Sequence, residues 1–449
     1  MSTFCGMATM RRLRANAREI FFAGLRSIDP MERVLKHFKL RKDRLWVGER
    51  VYDLSKIRSL YVVGGGKAGA RMALAMEQLL GDNIASGIVA VKYGCGLPLH
   101  KITIIEAAHP VPDQAGLDAA RQVADLARKC GENDLLFTLI SGGGSALLPY
   151  PIEGVTLEDK RRVTELLLKS GATIQEINAV RKHISRLKGG RLAGLAAPAH
   201  LIALILSDVV GDSLEAIASG PTVPDCTTFA ECLEILRRYD LGRRVPASII
   251  DCLERGARGE IDETPKPSDA IFQNVQNLII GSNRLALEAA QRRAHALGYQ
   301  TQILSYAVTG ESRAVARSHA ALVREILRKN EPLSRPACFI SGGETTVTVR
   351  GEGQGGRNQE FALAAALEID GMANVAILSG GTDGSDGPTD AAGGIVDGST
   401  VARGRARGLD AAQFLDRNDS YPFLQATGDL LITGPTHTNV MDLQIMLLG

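Results

Sequence analysis

The 449-residue chain lacks the features that mark several large classes of protein. Aromatic residues make up only 4% of it, and no basic stretch is interleaved with aromatics, so a surface for single-stranded nucleic acid is not expected. No apolar run approaches the roughly 18 residues that a membrane-spanning helix needs. The seven cysteines include no C-x-x-C pair, which is typical of reduced thiols in a cytoplasmic protein.

The signatures of common hydrolases and of the P-loop are also absent. The eight histidines show no metal-binding spacing such as H-E-x-x-H, no G-x-S-x-G turn occurs, and no glycine loop contains G-K-[S/T]. His109 and His437 lie in turn-rich segments, where structural or substrate-contact roles are expected rather than general-base catalysis. The sequence therefore disfavours a zinc hydrolase, a serine hydrolase and a P-loop enzyme.

Glycine, in contrast, is abundant, with 48 residues that cluster after short apolar runs. The runs are continuous rather than alternating, which is typical of strands buried on both faces of a parallel sheet, and helical patterns separate them. This predicts an α/β fold with a doubly wound parallel sheet and ligands at the carboxyl ends of its strands. The runs lie at 59–69, 87–94, 101–113, 134–148 and 201–212, and the pattern restarts at 277–291, 301–311, 337–351, 374–390 and 430–447.

The composition changes at residues 255–270, which are charged, contain two prolines and lack apolar periodicity. This change predicts a linker, and we place two domains at 1–262 and 263–449. In the second domain, Thr345–Arg350 alternates polar and apolar residues. Alternation predicts a strand with one solvated face, and hence a mixed sheet.

The first thirty residues have two interpretations. Four arginines precede the first acidic residue, Glu19, as in transit peptides. We favour an amphipathic helix that ends before Asp29 and Pro30, because its apolar residues fall on one stripe. These residues are Leu13, Ala17, Ile20, Phe21 and Leu25.

The motif Gly64-x-Gly66-x-x-Gly69 follows a predicted strand and opens a predicted helix, as the dinucleotide-binding fingerprint does. That fingerprint also has an acidic residue at the end of the next strand, whereas this strand ends in Lys92 and Tyr93. NAD binding is therefore disfavoured, while NADP binding stays open. In both cases open backbone N–H groups at the helix start predict an anion site, to which Lys67 adds a positive charge.

A second glycine loop, Ser141–Ser145, follows another predicted strand. Its residues are too small to form a core, so the loop is expected to let a phosphate or other oxyanion approach the backbone, with a tight turn as the structural alternative. Asp208 follows a third buried strand, where Mg²⁺ or a reacting hydroxyl group would be met. Asp212 shares that role or caps the next helix.

Two glycine-rich loops follow in the second domain. In Gly353–Glu360, the Arg357 guanidinium suits bidentate capture of carboxylate or phosphate, and Asn358 is the expected helix N-cap. In Ser379–Gly387, Asp383 and Asp386 are candidate ligands for Mg²⁺ or substrate hydroxyls, although the spacing is not that of an EF-hand. Several anion sites, a few carboxylates and no obvious nucleophile indicate phosphoryl transfer, which needs positioning and charge neutralisation.

These motifs together resemble the glycerate 2-kinase family, whose C-terminal domain is called MOFRL. The resemblance runs from about residue 13 to the end of the chain. It is carried by VVGGGKAGARMA, EAAHPVPD, LISGGGSALLPYP, INAVRKHISRLKGGRLA, LILSDVVGDSLEAIASGPTVPD, GQGGRNQEFALA, SGGTDGSDGPTDAAGG and TGPTHTNVMDL.

The resemblance implies a Rossmann-like N-terminal domain, a smaller α/β MOFRL-type C-terminal domain and an active site between them. It also implies phosphorylation of D-glycerate by ATP to 2-phosphoglycerate and ADP, with Mg²⁺ or another divalent cation. By motif position the catalytic residues are Lys67, Asp208 and Arg357, with Asp208 and Asp383 as metal ligands. The glycine-loop residues expected at the nucleotide are Gly64, Gly65, Gly66, Ser141, Gly142, Gly143, Gly144 and Ser145.

In the resulting hypothesis, Arg357 holds the glycerate carboxylate or the phosphoryl group, Lys67 neutralises phosphate charge, and Asp208 orients the attacking hydroxyl or Mg²⁺. Alanine at Lys67 or Arg357 is expected to reduce turnover by orders of magnitude and to leave thermal stability nearly unchanged. The alternatives are an NAD(P)H-dependent hydroxypyruvate or tartronate semialdehyde reductase, and a sugar-acid sensor without turnover. The expected partners are D-glycerate and ATP, and the oligomeric state is open, a homodimer included.

Overall fold

Helices and strands alternate along most of the chain, as the glycine-punctuated apolar runs predict. The computed structural model describes residues 2–329, 331 and 333–449, with side chains from residue 10 onward. Its helices are α1 Ser2–Ser27, α2 Pro30–Lys36, α3 Gly69–Leu80, α4 Gln114–Arg128, α5 Gly144–Leu147, α6 Leu157–Lys169, α7 Ile174–His183, α8 Arg191–Ala196, α9 Phe229–Arg238, α10 Ala247–Ala257, α11 Asn283–Ala296, α12 Ser312–Lys329, α13 Arg357–Glu368, α14 Thr400–Arg405, α15 Ala411–Asp416 and α16 Ser420–Thr427.

The strands form three sheets. They are β1 Phe38–Arg41, β2 Arg44–Val47, β3 Arg50–Asp53, β4 Ser59–Gly65, β5 Ile84–Lys92, β6 Ile102–Ala107, β7 Asp134–Ile140, β8 His200–Leu206, β9 Val275–Gly281, β10 Gln300–Val308, β11 Ala337–Gly343, β12 Val375–Gly381, β13 Gly393–Asp397, β14 Leu430–Leu431 and β15 Asp442–Leu448. The chain folds into two compact units. We call Pro30–Ile280 the parallel-sheet unit, and Met1–Asp29 with Gly281–Gly449 the mixed-sheet unit.

The main sheet of the parallel-sheet unit has the strand order β6-β5-β4-β7-β8-β9. The pairs β5–β6, β4–β5, β4–β7 and β7–β8 are all parallel. This is the order of a Rossmann fold, so the predicted doubly wound sheet is confirmed. Because the order reverses between β4 and β7, the carboxyl ends of these two strands flank the topological switch point, where ligands bind in such sheets.

Two further parts complete this unit. Strands β1, β2 and β3 form an antiparallel sheet that the apolar runs did not indicate, because each strand has only four residues. Helices α6, α7, α9 and α10 share a separate apolar core. Three of them start at capping boxes, at Thr156, Thr173 and Thr228, which fix where each helix begins.

The sheet of the mixed-sheet unit has the order β10-β11-β15-β12-β13-β14. Strand β15 is antiparallel to both neighbours, β11 and β12, whereas β10 and β11 are parallel. The predicted mixed sheet is thus confirmed, but the strand expected at Thr345–Arg350 is wrong. There only Thr346 forms an isolated bridge, with Glu311, and side chains of Glu311 and Asn418 accept the N–H groups of Thr348 and Arg350 in place of a ladder.

The predicted first helix is confirmed as α1, whose apolar stripe from Leu13 to Leu25 is buried. It shares a core with α11, β12 and β15. A methyl group on Gly24 would lie 2.8 Å from Leu443 and 3.1 Å from the carbonyl oxygen of Ala286, so glycine allows this close packing. The helix therefore belongs to the mixed-sheet unit, although we placed residues 1–29 in the first domain.

The boundary between the units also differs from the expected 262/263. It falls after Ile280 because β9 joins the sheet beside β8. The charged segment before it is anchored to the parallel-sheet unit. The carboxylate of Glu263 accepts the N–H of Phe229 and contacts His183 Nε2 at 3.1 Å, and Thr264 donates to Asp225.

The composition also raised expectations about membrane-spanning helices and cysteines. None of the helices in the described ranges is long and apolar enough to cross a membrane. The six cysteines whose side chains are described are free thiols, while the side chain of Cys5 lies outside the described residues.

Candidate active site

The two glycine loops of the parallel-sheet unit follow β4 and β7 at the switch point. They are hydrogen-bonded to each other. The N–H of Lys67 donates to the Gly142 carbonyl at 2.8 Å, and the N–H of Ala68 donates to Ser141 Oγ at 3.1 Å. The structure therefore brings Lys67 and the loops 64–66 and 141–145 together at one edge of the sheet.

Close packing explains two of these glycines. Gly66 has φ +148°, and a methyl group there would lie 2.1 Å from Ser141 Oγ. Gly143 has φ +85°, and a methyl group there would lie 2.8 Å from the His109 ring. These loops thus pack against each other and against His109, in addition to any ligand role.

Four N–H groups between Gly66 and Gly69, where the loop leads into α3, are used within the protein. Those of Gly66 and Gly69 donate to the carbonyl oxygens of Ala90 and Gly66, and those of Lys67 and Ala68 are used between the loops. Since all four are satisfied within the protein, they do not form a ready anion site. The positive charge of Lys67, which is half-buried, is the group that this loop offers.

Asp208 lies at the same edge of the sheet, two residues beyond the end of β8, and is partly exposed. Parallel strands end at a common edge, so Asp208 shares that edge with Lys67 and both glycine loops. Asp212 lies farther along the loop with φ +55°, and no α-helix begins after it, so its predicted capping role is wrong.

Two cations that the sequence analysis did not single out lie behind the second glycine loop. Lys188 is only 2% exposed and donates to Ser145 Oγ at 2.9 Å and to the Ser145 carbonyl at 3.0 Å. Arg181 donates to the same Oγ from Nη2. Burial lowers the pKa of Lys188 well below its ordinary value, and the charges of Arg181 and Lys160 act in the same direction. The one available signal was a lysine followed by two glycines inside an apolar context.

In the mixed-sheet unit, the recurring Ser-Gly-Gly has a structural explanation. It forms the ends of both strands that flank β15. Asp442 lies opposite Gly343 on one side and opposite Gly381 on the other. Gln444, two residues further along β15 and on the same face as Asp442, lies opposite Ser341 on one side and Ser379 on the other. The Ser-Gly-Gly motif thus borders this face of β15 on both sides.

Arg357, the first residue of α13, is already engaged. Its Nε and Nη2 donate to the two carboxylate oxygens of Asp442 at 2.6 and 2.9 Å, and its Nη1 lies 2.9 Å from Glu344. Burial alone would lower the pKa of Arg357, but the hydrogen bonds and charge of Asp442 outweigh it and raise the pKa. Asp442 is fully buried, so this fork is part of the fold. The sequence did not reveal either acidic partner, because Asp442 is 85 residues away and Glu344 lies outside the glycine-rich loop.

Asp386 caps α13, and the predicted N-cap role of Asn358 is wrong. The N-cap position is Gly356, and the carboxylate of Asp386 accepts the N–H groups of Asn358 and Gln359 at 3.1 and 2.8 Å. Burial raises the pKa of Asp386 above the ordinary carboxyl range, and Asp442 acts in the same direction. Asp386 is only 3% exposed, so its role is to hold the helix that carries Arg357.

Asp383 is partly exposed in the loop after β12, where its Oδ1 accepts the N–H and hydroxyl of Ser385. A methyl group on Gly381 would lie 3.5 Å from an oxygen of both Asp383 and Asp442, so the two carboxylates converge there. Carboxylate oxygens suit Mg²⁺, which often uses one or two of them plus substrate phosphates. The described residues contain no group of three or more candidate metal-binding side chains.

Comparison with known proteins places these features in a family. A domain of unknown function, DUF4147, matches residues 16–254, and the MOFRL family matches residues 337–442. The glycerate 2-kinase of Pyrococcus horikoshii is 44% identical over 422 residues, which are 94% of each chain. The crystal structure of glycerate kinase from Thermotoga maritima has a TM-score of 0.87 and 42% identity, covering 98% of this chain and 100% of that one.

The chain belongs to the glycerate kinase family. The resemblance seen in its motifs is thereby confirmed. Another relative, from Agrobacterium vitis, is 45% identical over 390 residues, which are 86% of this chain and 99% of that protein, and is named a putative hydroxypyruvate reductase. In this glycerate kinase family member, β5 ends in Lys92 and is followed by Tyr93, where a dinucleotide-binding fold has its ribose-binding acid.

Proposed function

We propose that the protein is an ATP-dependent glycerate 2-kinase, which transfers the γ-phosphoryl group of ATP to the 2-hydroxyl of D-glycerate and releases 2-phosphoglycerate and ADP. The observation that carries this proposal is the pair of hydrogen-bonded glycine loops at the switch point, with Lys67 on one of them, in a member of the glycerate kinase family. Such a site supplies position and positive charge without a covalent nucleophile, which suits phosphoryl transfer.

In the parallel-sheet unit, Lys67 neutralises charge on the transferred phosphoryl group, and the glycines of loops 64–66 and 141–145 shape the nucleotide site. Asp208 orients the attacking 2-hydroxyl. It accepts a hydrogen bond from that group, and its carboxylate is the candidate acceptor of the hydroxyl proton.

In the mixed-sheet unit, Arg357 binds the glycerate carboxylate or the phosphoryl group. Because Asp442 occupies Nε and Nη2, the edge at Nη1, now beside Glu344, is the one that meets the substrate. Each unit provides one proposed Mg²⁺ ligand, Asp208 in the parallel-sheet unit and Asp383 in the mixed-sheet unit. When bound, the metal neutralises phosphate charge.

The second candidate is an NAD(P)H-dependent hydroxypyruvate reductase, favoured by the name of the Agrobacterium relative and by the glycine spacing at 64–69. One pair of assays separates the two. We expect ADP release from D-glycerate and MgATP, and no oxidation of NADH or NADPH with hydroxypyruvate. Cofactor oxidation without ADP release would reject the kinase and support the reductase.

The remaining expectations are parts of the same proposal. A cytoplasmic location follows from the cysteine pattern, and homodimer formation is tested by light scattering of the purified protein. A shift to twice the mass of 47.9 kDa would establish the dimer.

A further inference from the structure

We propose that Lys188 is a positioning residue of this enzyme. Together with Arg181, it holds the loop Gly142–Ser145 and makes it positive, so that the loop binds an oxyanion of a substrate. The inference rests on the proposed function, because that reaction supplies the oxyanion. Its chemistry is shared by the phosphates of ATP and the carboxylate of D-glycerate.

The first support is the set of bonds that Lys188 makes. It lies in the turn between α7 and α8, and its ammonium group donates to Ser145 Oγ, to the Ser145 carbonyl and, at 3.3 Å, to the Ala218 carbonyl. All three acceptors are neutral. The ammonium group therefore ties the glycine loop to the turn at 217–219, and none of its acceptors carries a negative charge.

The second support is the absence of a counter-ion. In the part of the chain that the structure describes, no carboxylate lies within 4 Å of the charged nitrogens of Lys188 or Arg181. Lys182 shows the contrast, because it is as buried as Lys188 but pairs with Asp225 at 3.2 Å. A buried cation without a counter-ion is costly, and a bound anion would reduce that cost.

The third support is the direction of the hydrogen bonds around Ser145. Its Oγ accepts from Lys188 and Arg181, so its own proton is donated to Ser219 Oγ at 3.0 Å. Ser219 in turn donates to Asn178 Oδ1, which also accepts from Arg181. The Ser145 hydroxyl is thus used inside the protein, and what the loop presents to a ligand is positive potential rather than this hydroxyl.

The fourth support is backbone strain at the second anchor. Ala218 and Ser219 are consecutive non-glycine residues with φ +51° and +60°. Such conformations cluster at functional sites, where surrounding bonds hold them in place. Here the bond from Lys188 to the Ala218 carbonyl is one of those that hold them.

The test is Lys188→Met, which keeps the length of the side chain and removes its charge. We expect the ligand-free Tm to change little, because the loss of a buried cation without a counter-ion offsets the loss of its three hydrogen bonds. We expect the affinity for the oxyanion ligand to fall about 10- to 100-fold, the usual effect of losing charge-assisted contacts. Calorimetric titration with MgADP and, separately, with D-glycerate gives both the size of the loss and the source of the oxyanion.

Each outcome of these titrations either supports the proposal or overturns it. Weaker MgADP binding alone assigns the loop to phosphate, and weaker D-glycerate binding alone assigns it to the carboxylate. Affinities within twofold of wild type for both ligands would overturn the proposal, as would a lower Tm with unchanged affinities. If the wild-type enzyme turns over and Lys188→Met binds both ligands normally, only this inference is refuted. Wild-type enzyme that forms no phosphoglycerate refutes the proposed function instead.

The matched control is Lys160→Met. Lys160 is also buried, at 4% exposed, but its ammonium group donates to the carbonyl oxygens of Arg181 and Ile184 and not to the loop. The affinities of Lys160→Met for MgADP and D-glycerate should stay within twofold of wild type. A loss as large as that of Lys188→Met would show a general charge effect and overturn the assignment. If Lys188→Met does not fold, the ligand affinities of Arg181→Met and Arg181→Lys are compared instead. Only the lysine variant should retain the affinity.

Discussion

Two clusters of positive charge, one in each unit, differ in whether the protein supplies a counter-ion. Behind the glycine loop of the parallel-sheet unit, Lys188 and Arg181 bond only to neutral oxygens in the described structure. In the mixed-sheet unit, Arg357 is balanced by Asp442 and Glu344. In our proposal an anion from outside balances the first cluster, whereas the second has its counter-ions within the fold. Substitution should therefore separate function from stability in the first unit and combine them in the second.

The largest expected effect concerns function in the parallel-sheet unit. Lys67→Met should reduce turnover by at least about 10³-fold, because the residue neutralises charge on the transferred group. Its Tm should remain near that of wild type, since Lys67 is half-buried at the edge of the sheet. Steady-state kinetics and thermal unfolding measure the two effects. The control, Lys56→Met at an exposed position of the same unit, should behave as wild type. Turnover of Lys67→Met within tenfold would contradict the assignment.

In the mixed-sheet unit we expect activity and stability to fall together. Arg357→Ala leaves the fully buried carboxylate of Asp442 without its partner, which should lower the free energy of unfolding by about 3–5 kcal/mol. This replaces the expectation from sequence that stability would be nearly unchanged. The double variant Arg357→Ala with Asp442→Asn should regain part of the stability and none of the activity. An unchanged Tm of Arg357→Ala would show that the fork is not structural.

A third prediction tests the glycine loop itself. Gly143→Ala should lower the free energy of unfolding by about 2–3 kcal/mol, because alanine is strained at φ +85° and would contact the His109 ring at 2.8 Å. The matched control is Gly154→Ala, at φ +82° with open space around it. That variant should cost only about 1 kcal/mol. Equal losses in denaturant unfolding would remove the packing role given to His109.

The smallest expected effect is a pH dependence of the free energy of unfolding, caused by a carboxylate of the parallel-sheet unit that has its own hydrogen-bond donors. Burial would raise the pKa of Glu263, but hydrogen bonds from His183, the Phe229 N–H and Lys266 outweigh it and lower the pKa to about 2. A lowered folded-state pKa stabilises above the ordinary value near 4.5, and that stability is lost as the pH falls from about 5 to 2. Because Glu263 is about one-third exposed, we expect only about 1 kcal/mol.

Urea unfolding at pH 6 and pH 3 measures this term as the difference between wild type and Glu263→Gln. Wild type should lose about 1 kcal/mol more than the variant over that range. Equal pH dependence of the two proteins would show that the bonds at Glu263 contribute nothing to stability.

Local patterns predicted much of this architecture. The apolar runs located the strands β4 to β12, and their continuity indicated the parallel sheet. The glycine loops at 64–66 and 141–145 were recognised because strand ends are marked by composition. The compact units differ from the domains placed on composition at α1 and β9, since periodicity shows that a helix or strand forms but does not show what it packs against.

The same reason explains the gaps in the site. Arg357 was recognised from its glycine-rich surroundings, but Asp442 is 85 positions away along the chain and was not. Lys188 meets Ser145 across 43 positions, with no local signal except the following glycines. The loop sequence also did not show that the second glycine loop accepts the N–H groups of Lys67 and Ala68. Such contacts join residues that are far apart in the sequence, and they depend on the order of the strands in the folded sheets.

The most direct test of the account is the proton-coupled phosphorus NMR spectrum of the product formed from D-glycerate and MgATP. A phosphate on the 2-hydroxyl is next to one proton and gives a doublet, whereas a phosphate on the 3-hydroxyl is next to two and gives a triplet. We predict a doublet that appears with the wild-type protein and is absent with Lys67→Met. A triplet would reject the regiochemistry, and no phosphorylated product at all would contradict the kinase.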